Sequence, residues 1–143
     1  MPLEPHPATV PAPAPSALTR PFWEGCQRAE LLYQRCEACE AAQFPPGPIC
    51  RSCRSSAIVW QRSAGRGAIY SFSSIWRPPT PAYRVPYVVA IVRLDENYDM
   101  LANVVGVALD DVAVDMPVAV EFHPIAGGFS IPYFGPWEGN HDR

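Results

Sequence analysis

A chain of 143 residues can build one ordinary domain or two small ones, given that domains commonly run to about 100–150 residues. Its basic residues are all Arg, its formal net charge is −3 and its sequence pI is near 5.5, a poor footprint for a nucleic-acid binder that must neutralise many phosphates. No apolar run approaches the roughly 20 residues that span a bilayer, and no basic segment, apolar stretch and small-residue cleavage site mark an export signal; a soluble, cytoplasmic protein without a membrane partner is expected.

Seven of the 18 Pro fall within residues 1–21. Each ring fixes φ and removes an amide donor, so residues 1–19 are expected to be a disordered tail. Thr19 is positioned to cap a short helix with Pro21 in its first turn, along which Phe22, Cys26 and Ala29 recur at helical spacing and Gly25 weakens the pattern. ELLYQRC at 30–36 suits a helix end or a short strand. The pairs Cys36/Cys39 and Cys50/Cys53 follow, separated by EAAQFPPGPI, and then comes a short extended run at 57–60. A knuckle, a Pro-rich loop, a second knuckle and flanking strands make a rubredoxin-like zinc ribbon, with Tyr33, Phe44, Ile49 and Trp60 as its small core.

Beyond Trp60 the composition turns to β-branched and aromatic runs between turn residues. Strands are expected at 67–76, 87–94, 100–109, 117–124 and 129–134. The fourth alternates Val118, Val120 and Phe122 against Ala119, Glu121 and His123. The second is almost continuously apolar and reads as central. Five short strands without a long helix predict a partly or fully closed OB-fold barrel, with an SH3-like barrel as the rival. Gly65, Gly67 and Gly106 mark places where barrel strands bend. The predicted class is therefore mainly β: tail at 1–19, helical segment and ribbon at 20–60, OB-fold at 61–136 and a C-terminal tail at 137–143.

Four of the five Cys form two i, i+3 pairs that can each turn both sulfurs onto one ion and close a tetrahedron. Zinc is the expected metal, one per chain, ahead of iron or a pair of redox dithiols. Four protein ligands leave no position for water, so the metal is structural. Many such knuckles carry Gly directly after the second Cys; here Glu40 and Arg54 must take any positive-φ turn. Cys26 has no basic neighbour in sequence and reads as a small buried side chain.

No Ser-His-Asp order, glycine-rich phosphate loop or H-E-x-x-H motif is present. His6 and His141 lie in the tails, His123 at a strand end is expected to be exposed rather than a base, and Asp110, Asp111 and Asp115 read as a solvated turn. What remains is a recognition surface. Arg62, Arg66, Arg77 and Trp76 bracket the first barrel strand with Tyr70 and Phe72, an interleaving that suits a phosphate and a stacked base, although the same residues also fit a solvated face over an aromatic core.

Together the segments PFWEG at 21–25, QRCEACEAAQFPPGPICRSC at 34–53, Trp60, SAGRGAIYSFSSIWRPPTPAY at 63–83, PYVVAIVRLDE at 86–96, ANVVG at 102–106 and DMPVAVEF at 115–122 resemble the acyl-CoA-associated zinc-ribbon and OB-fold family once called domain of unknown function 35. Within it the arrangement is similar to the small zinc-containing subunit of a thiolase complex such as benzoylsuccinyl-CoA thiolase. The resemblance implies a non-catalytic accessory subunit in a hetero-oligomer. Its partner would be a thiolase-superfamily catalytic chain, for thiolysis or retro-aldol cleavage of an aromatic or steroid acyl-CoA, or else a hydratase or acyltransferase. It also implies CoA or acyl-CoA as ligand of the complex, which gives Arg62, Arg66, Arg77 and Trp76 a target in the 3′-phospho-ADP group. Two alternatives stand beside it: a stand-alone single-stranded nucleic-acid binder, and an independent thiol enzyme using Cys26 or a metal-free Cys pair.

Overall fold

The computed structural model describes residues 1–138; most of the expected C-terminal tail, including His141, lies outside them. Helix α1 spans Arg20–Gln27 and buries Phe22, Gly25 and Cys26. Thr19 stands at the N-cap position as expected, but its side chain makes no cap hydrogen bond to the helix and pairs instead with Ser16, one turn earlier. The Ser16 N–H donates to Thr19 Oγ1 at 2.9 Å and the Thr19 N–H donates to Ser16 Oγ at 3.2 Å, a reciprocal arrangement of the capping-box kind. Ala29, expected on the helix, lies past its end at φ 60°. Gly25 has a packing role that the sequence did not disclose. A Cβ there would sit 2.8 Å from Leu32 Cγ and 2.9 Å from the Glu30 carbonyl oxygen, so the missing side chain is what lets the helix lie on the next strand.

The ribbon sheet consists of β1 (Leu32–Cys36), β2 (Ala42–Gln43) and β3 (Ile58–Arg62), antiparallel in the order β2-β1-β3. ELLYQRC thus resolves as strand, and β3 continues two residues past Trp60, the expected end of the ribbon. Five strands follow: β4 (Arg66–Ile75), β5 (Tyr87–Leu94), β6 (Asp99–Val104), β7 (Pro117–Pro124) and β8 (Ser130–Pro136). They close a barrel in the order β4-β5-β6-β8-β7, with β7 returning to β4 and β6 parallel to β8, which is the OB-fold order rather than the SH3-like one. The third strand stops at Val104, short of the expected Leu109, because Gly106 turns the chain at φ 77°. Gly67 sits where a Cβ would overlap the Arg93 carbonyl, so β4 and β5 approach closely at the point where β4 must also reach β7.

Alternate residues of the strands fill the barrel: Val88, Ala90, Val92 and Leu94 of β5, Val118 of β7 and Phe134 of β8 are all buried. The same cluster continues into Phe22, Cys26, Leu31 and Tyr33. Helix, ribbon and barrel therefore share one core, and a ribbon too small to bury much surface alone borrows stability from its neighbour.

The N-terminal segment departs from the expected disordered tail. Its prolines prevent helix and extended sheet, as expected, but Pro2 bridges to Ala108, the Leu3 N–H donates to the Val107 carbonyl at 2.8 Å and the Gly106 N–H donates to the Leu3 carbonyl at 2.8 Å. Leu3 and Val10 are buried. Residues 2–10 form a strap on the barrel, held by long-range contacts that a local composition argument does not capture. Among the described residues no helix is long and apolar enough to cross a membrane.

Candidate metal centre and interaction surfaces

The two knuckles bring Cys36, Cys39, Cys50 and Cys53 together with all four sulfur atoms within 4.8 Å of one another. Cys36 Sγ lies 3.6 Å from Cys53 Sγ and Cys39 Sγ lies 3.6 Å from Cys50 Sγ. A tetrahedral ion with Zn–S bonds of about 2.3 Å has an edge of about 3.8 Å, so the donor set and spacing fit zinc. Each knuckle turns exactly where Gly is absent: Glu40 stands at φ 68° and Arg54 at φ 69°, and their N–H groups donate back to the Cys36 and Cys50 carbonyls at 2.8 and 2.9 Å. The Ala38 N–H donates to Cys36 Sγ and the Ser52 N–H to Cys50 Sγ, both at 3.3 Å.

Such donors favour thiolate. The Cys53 N–H holds the Cys50 thiol down at about 6, and the Cys39 N–H lowers Cys36. At Cys53 a backbone N–H from Ser55 pulls the same way, but the bond with Cys39, burial and the remaining sulfurs outweigh it and push the thiol up to about 12. Four sulfurs this close cannot all carry charge unless a cation lies among them, and a soft dication removes that conflict.

The loop between the knuckles is positioned by two buried glutamines, Gln34 of β1 and Gln43 of β2. Gln34 Oε1 accepts from Gln43 Nε2 at 2.9 Å and from the Gly47 N–H at 2.8 Å; Gln43 Oε1 accepts from the Arg51 N–H at 2.9 Å, and Gln43 Nε2 also reaches the Ile49 carbonyl at 3.2 Å. The second knuckle is thereby tied to the first sheet. Sequence reading missed this, having proposed a wholly apolar ribbon core; Ile49, assigned to it, is 40% exposed.

The proposed arginine cluster is not one patch. Arg62 ends β3 and pairs with Glu30 at 3.6 Å. Arg66 starts β4 and lies over the Trp137 ring at 4.6 Å. Trp76 and Arg77 stand beyond the other end of the ten-residue β4, and at about 3.3 Å per residue the two groups are roughly 30 Å apart along the strand. Cys26 is 1% exposed and burial pushes its thiol up to about 12, the inert state expected of it. His123 lies at the end of β7 with Nε2 2.7 Å from Glu121 Oε1. His6, assigned to a free tail, is docked: its N–H donates to Tyr133 Oη at 3.1 Å, its Nδ1 accepts from the Arg84 N–H at 3.0 Å, and its ring meets Tyr83 and Tyr87 edge-on.

A groove of about 430 Å³ opens where all parts of the molecule meet. It is lined by Trp23 of α1, Phe44 of the ribbon loop, Tyr87 and Val89 of β5, Leu101 of β6 and Ile131 of β8, and no charged side chain enters it. Leu101 is 68% exposed. The groove also explains why β5 reads as continuously apolar: Val88, Ala90 and Val92 point into the barrel, while Tyr87 and Val89 on the opposite face line the groove.

Two matched families divide the chain where the ribbon meets the barrel. Residues 23–59 match the rubredoxin-like zinc ribbon domain of ChsH2 and residues 60–123 match the C-terminal OB-fold domain of ChsH2. A DUF35 domain-containing scaffold protein of Methanocaldococcus jannaschii is 30% identical over 101 residues, covering 69% of this chain and 72% of that protein. The chain belongs to the ChsH2/DUF35 family of zinc-ribbon and OB-fold proteins.

A probable enoyl-CoA hydratase alpha subunit of Thermomonospora curvata is 38% identical over 116 residues, 80% of this chain. This chain spans only 36% of that subunit's length. Among solved structures, the one described as Ltp2-ChsH2(DUF35) aldolase superposes with a TM-score of 0.80 at 35% identity, covering 87% of this chain and 98% of the matched one.

Proposed function

We propose that this chain is a non-catalytic accessory subunit of an acyl-CoA enzyme complex, with Cys36, Cys39, Cys50 and Cys53 holding one structural zinc. Bound there, zinc cross-links the knuckles, and with four sulfur ligands it offers no position for a reacting water. The observation that carries the reading is the pairing of a closed sulfur site with an uncharged, mostly apolar groove whose titratable lining side chains are the phenols of Tyr83 and Tyr87, with no thiol, carboxylate or amine among them. Such a surface suits binding and positioning rather than nucleophilic chemistry.

The finer reading gives the catalytic chain to the thiolase superfamily, acting by retro-aldol or thiolytic carbon–carbon cleavage. The likeness to the ChsH2 chain of an aldolase supports it. In that arrangement the groove takes an apolar part of the partner or of its acyl group, and Arg66 and Arg77, at opposite ends of β4 and outside the groove lining, would each offer a separate contact to CoA phosphates rather than a joint cradle. A hydratase complex is the second reading, favoured by the hydratase alpha subunit among the relatives.

Co-expression with a thiolase-superfamily chain and with an enoyl-CoA hydratase beta chain, each followed by gel filtration and an acyl-CoA turnover assay, tests both. The first reading expects a stable complex whose carbon–carbon cleavage requires both chains. Assembly and hydration only with the hydratase chain would transfer the assignment, and a chain that assembles with neither would refute the accessory role.

A further inference from the structure

We infer that two copies of this chain pair through the free edge of β4, antiparallel about Ser73. The inference goes beyond the accessory role and concerns a surface other than the groove. β4 pairs with β5 from Gly67 to Ile75 but with β7 only from Arg66 to Ala68. Ile69 ends the second contact, its N–H donating to the Met116 carbonyl and its own carbonyl accepting from the Asp115 N–H. Past it, residues 70–75 have no strand on that side among the described residues.

The direction of the unpaired groups follows from alternation. The Leu94 N–H donates to the Tyr98 carbonyl across the β5–β6 turn, so even-numbered residues of β5 face β6 and odd-numbered ones face β4. Ile91, Val89 and Tyr87 pair with Ser71, Ser73 and Ile75. Phe72 and Ser74 therefore turn N–H and C=O to the open edge.

Natural edges are commonly blunted by charge or proline. Here residues 67–76 contain neither, and Tyr70, Phe72 and Trp76 are 53%, 37% and 65% exposed.

The edge is complementary to itself. A two-fold axis through Ser73 sets Phe72 opposite Ser74 of the copy and Ser74 opposite Phe72, each pair exchanging two backbone hydrogen bonds. Arg77 of each copy then arrives at the Asp115 turn that closes the other's free edge. Both side chains are exposed and neither makes an ion pair among the described residues, so opposite charges meet twice. The contact is small, below the roughly 1,200 Å² of stable interfaces, and the dimer is expected to be weak, with Kd in the range of about 1–100 µM.

Sedimentation velocity of the zinc-loaded full chain, from about 1 to 300 µM, reads association directly. Amide exchange at Phe72 and Ser74 should slow as concentration rises. Ser74→Pro removes an edge donor without touching the β5 ladder and should weaken dimerisation roughly tenfold, whereas Ser74→Ala should not; zinc content and circular dichroism report whether each variant is folded. Arg77→Asp and Asp115→Arg should each weaken the dimer and the double variant restore it, which keeps the inference testable if the proline variant misfolds. A chain that stays monomeric throughout, a dimer indifferent to the charge swaps, one that leaves the Phe72 and Ser74 amides unprotected, or an edge occupied only by another protein's strand would overturn it.

Discussion

Tyr33 of β1 and Tyr98 of the β5–β6 turn are stacked, with ring centroids 4.7 Å apart and planes 16° from parallel, and this pair packs the junction between ribbon and barrel. Ser63 Oγ donates to Glu96 Oε1 at 2.6 Å and the Ala64 N–H to Glu96 Oε2 at 2.7 Å, so the same turn also fixes the chain that leaves the ribbon. A metal-bound module is thus held against the barrel at one end of the groove, where Phe44 also meets Tyr98 at 6.3 Å.

The junction contains one imperfection that can be tested. Tyr98 Oη is buried and makes no well-formed hydrogen bond among the described residues; burial pushes its phenol well above the usual range, and the nearby Ser63 hydroxyl only partly opposes that. Tyr98→Phe keeps the stack and removes the stranded hydroxyl; stability should rise by about 1 kcal/mol. Tyr98→Ala should cost about 3–5 kcal/mol. Urea unfolding followed by circular dichroism distinguishes the two, and a phenylalanine variant less stable than the parent would show that the hydroxyl is satisfied in solution.

The strap predicts a pH response. Burial lowers the His6 pKa from 6.5, and Arg84 adds to the effect against a raising hydrogen bond from Asn103. The unfolded chain therefore binds its proton more readily than the folded one. The resulting stability is complete above about 6.5, and it is lost progressively as pH falls below that value towards the lowered folded pKa. The Arg84 N–H donates to His6 Nδ1, a bond that the imidazolium cannot accept. Melting temperature measured from pH 7.5 to 5 should fall more steeply for the parent than for His6→Gln, whose amide oxygen can accept without titrating; parallel curves would sink this account.

The parts of the fold that were legible in the sequence are those set by local pattern. Val118, Val120 and Phe122 alternate because β7 has one face in the barrel, and the strand can be placed from them alone. The Cys spacing located both knuckles, and the positions directly after each second Cys, where any positive-φ turn had to carry a side chain, are where Glu40 and Arg54 adopt φ 68° and 69°. What stayed hidden depends on partners distant in sequence. Nothing near Gly25 announces Leu32 above it. Gln34 and Gln43 look like surface residues until each becomes the other's partner. Arg66 and Arg77 look adjacent to one aromatic strand, and the length of that strand is what separates them.

The glutamine pair should be felt at the metal. Gln34→Ala strands the Gly47 N–H and one Gln43 donor, and loss of buried hydrogen bonds of this kind costs about 1–3 kcal/mol. Because ribbon folding and metal binding are one equilibrium, the variant should bind zinc roughly ten- to hundredfold more weakly, measured by competition with a chromophoric chelator. Cys39→Ser should go further, losing zinc and solubility before any other property. Unchanged zinc affinity in Gln34→Ala would mean that the loop is held by the metal alone.

Leu101 distinguishes a binding surface from a structural one. Leu101 points out of β6 and is 68% exposed, so an acidic substitution there leaves the core intact and should alter stability by no more than about 0.5 kcal/mol. If the groove receives an apolar anchor of the catalytic chain or its acyl group, Leu101→Asp places a charge where a desolvated contact forms, and such a change commonly costs about 2 kcal/mol or more. Association with the partner, read by surface plasmon resonance, should then weaken about thirtyfold or more while zinc content and melting temperature stay at parental values. A variant that assembles normally but raises KM for the acyl-CoA would assign the groove to the substrate; one that alters neither quantity would remove the groove from the complex altogether, because no surface contact can absorb a buried carboxylate without a measurable penalty.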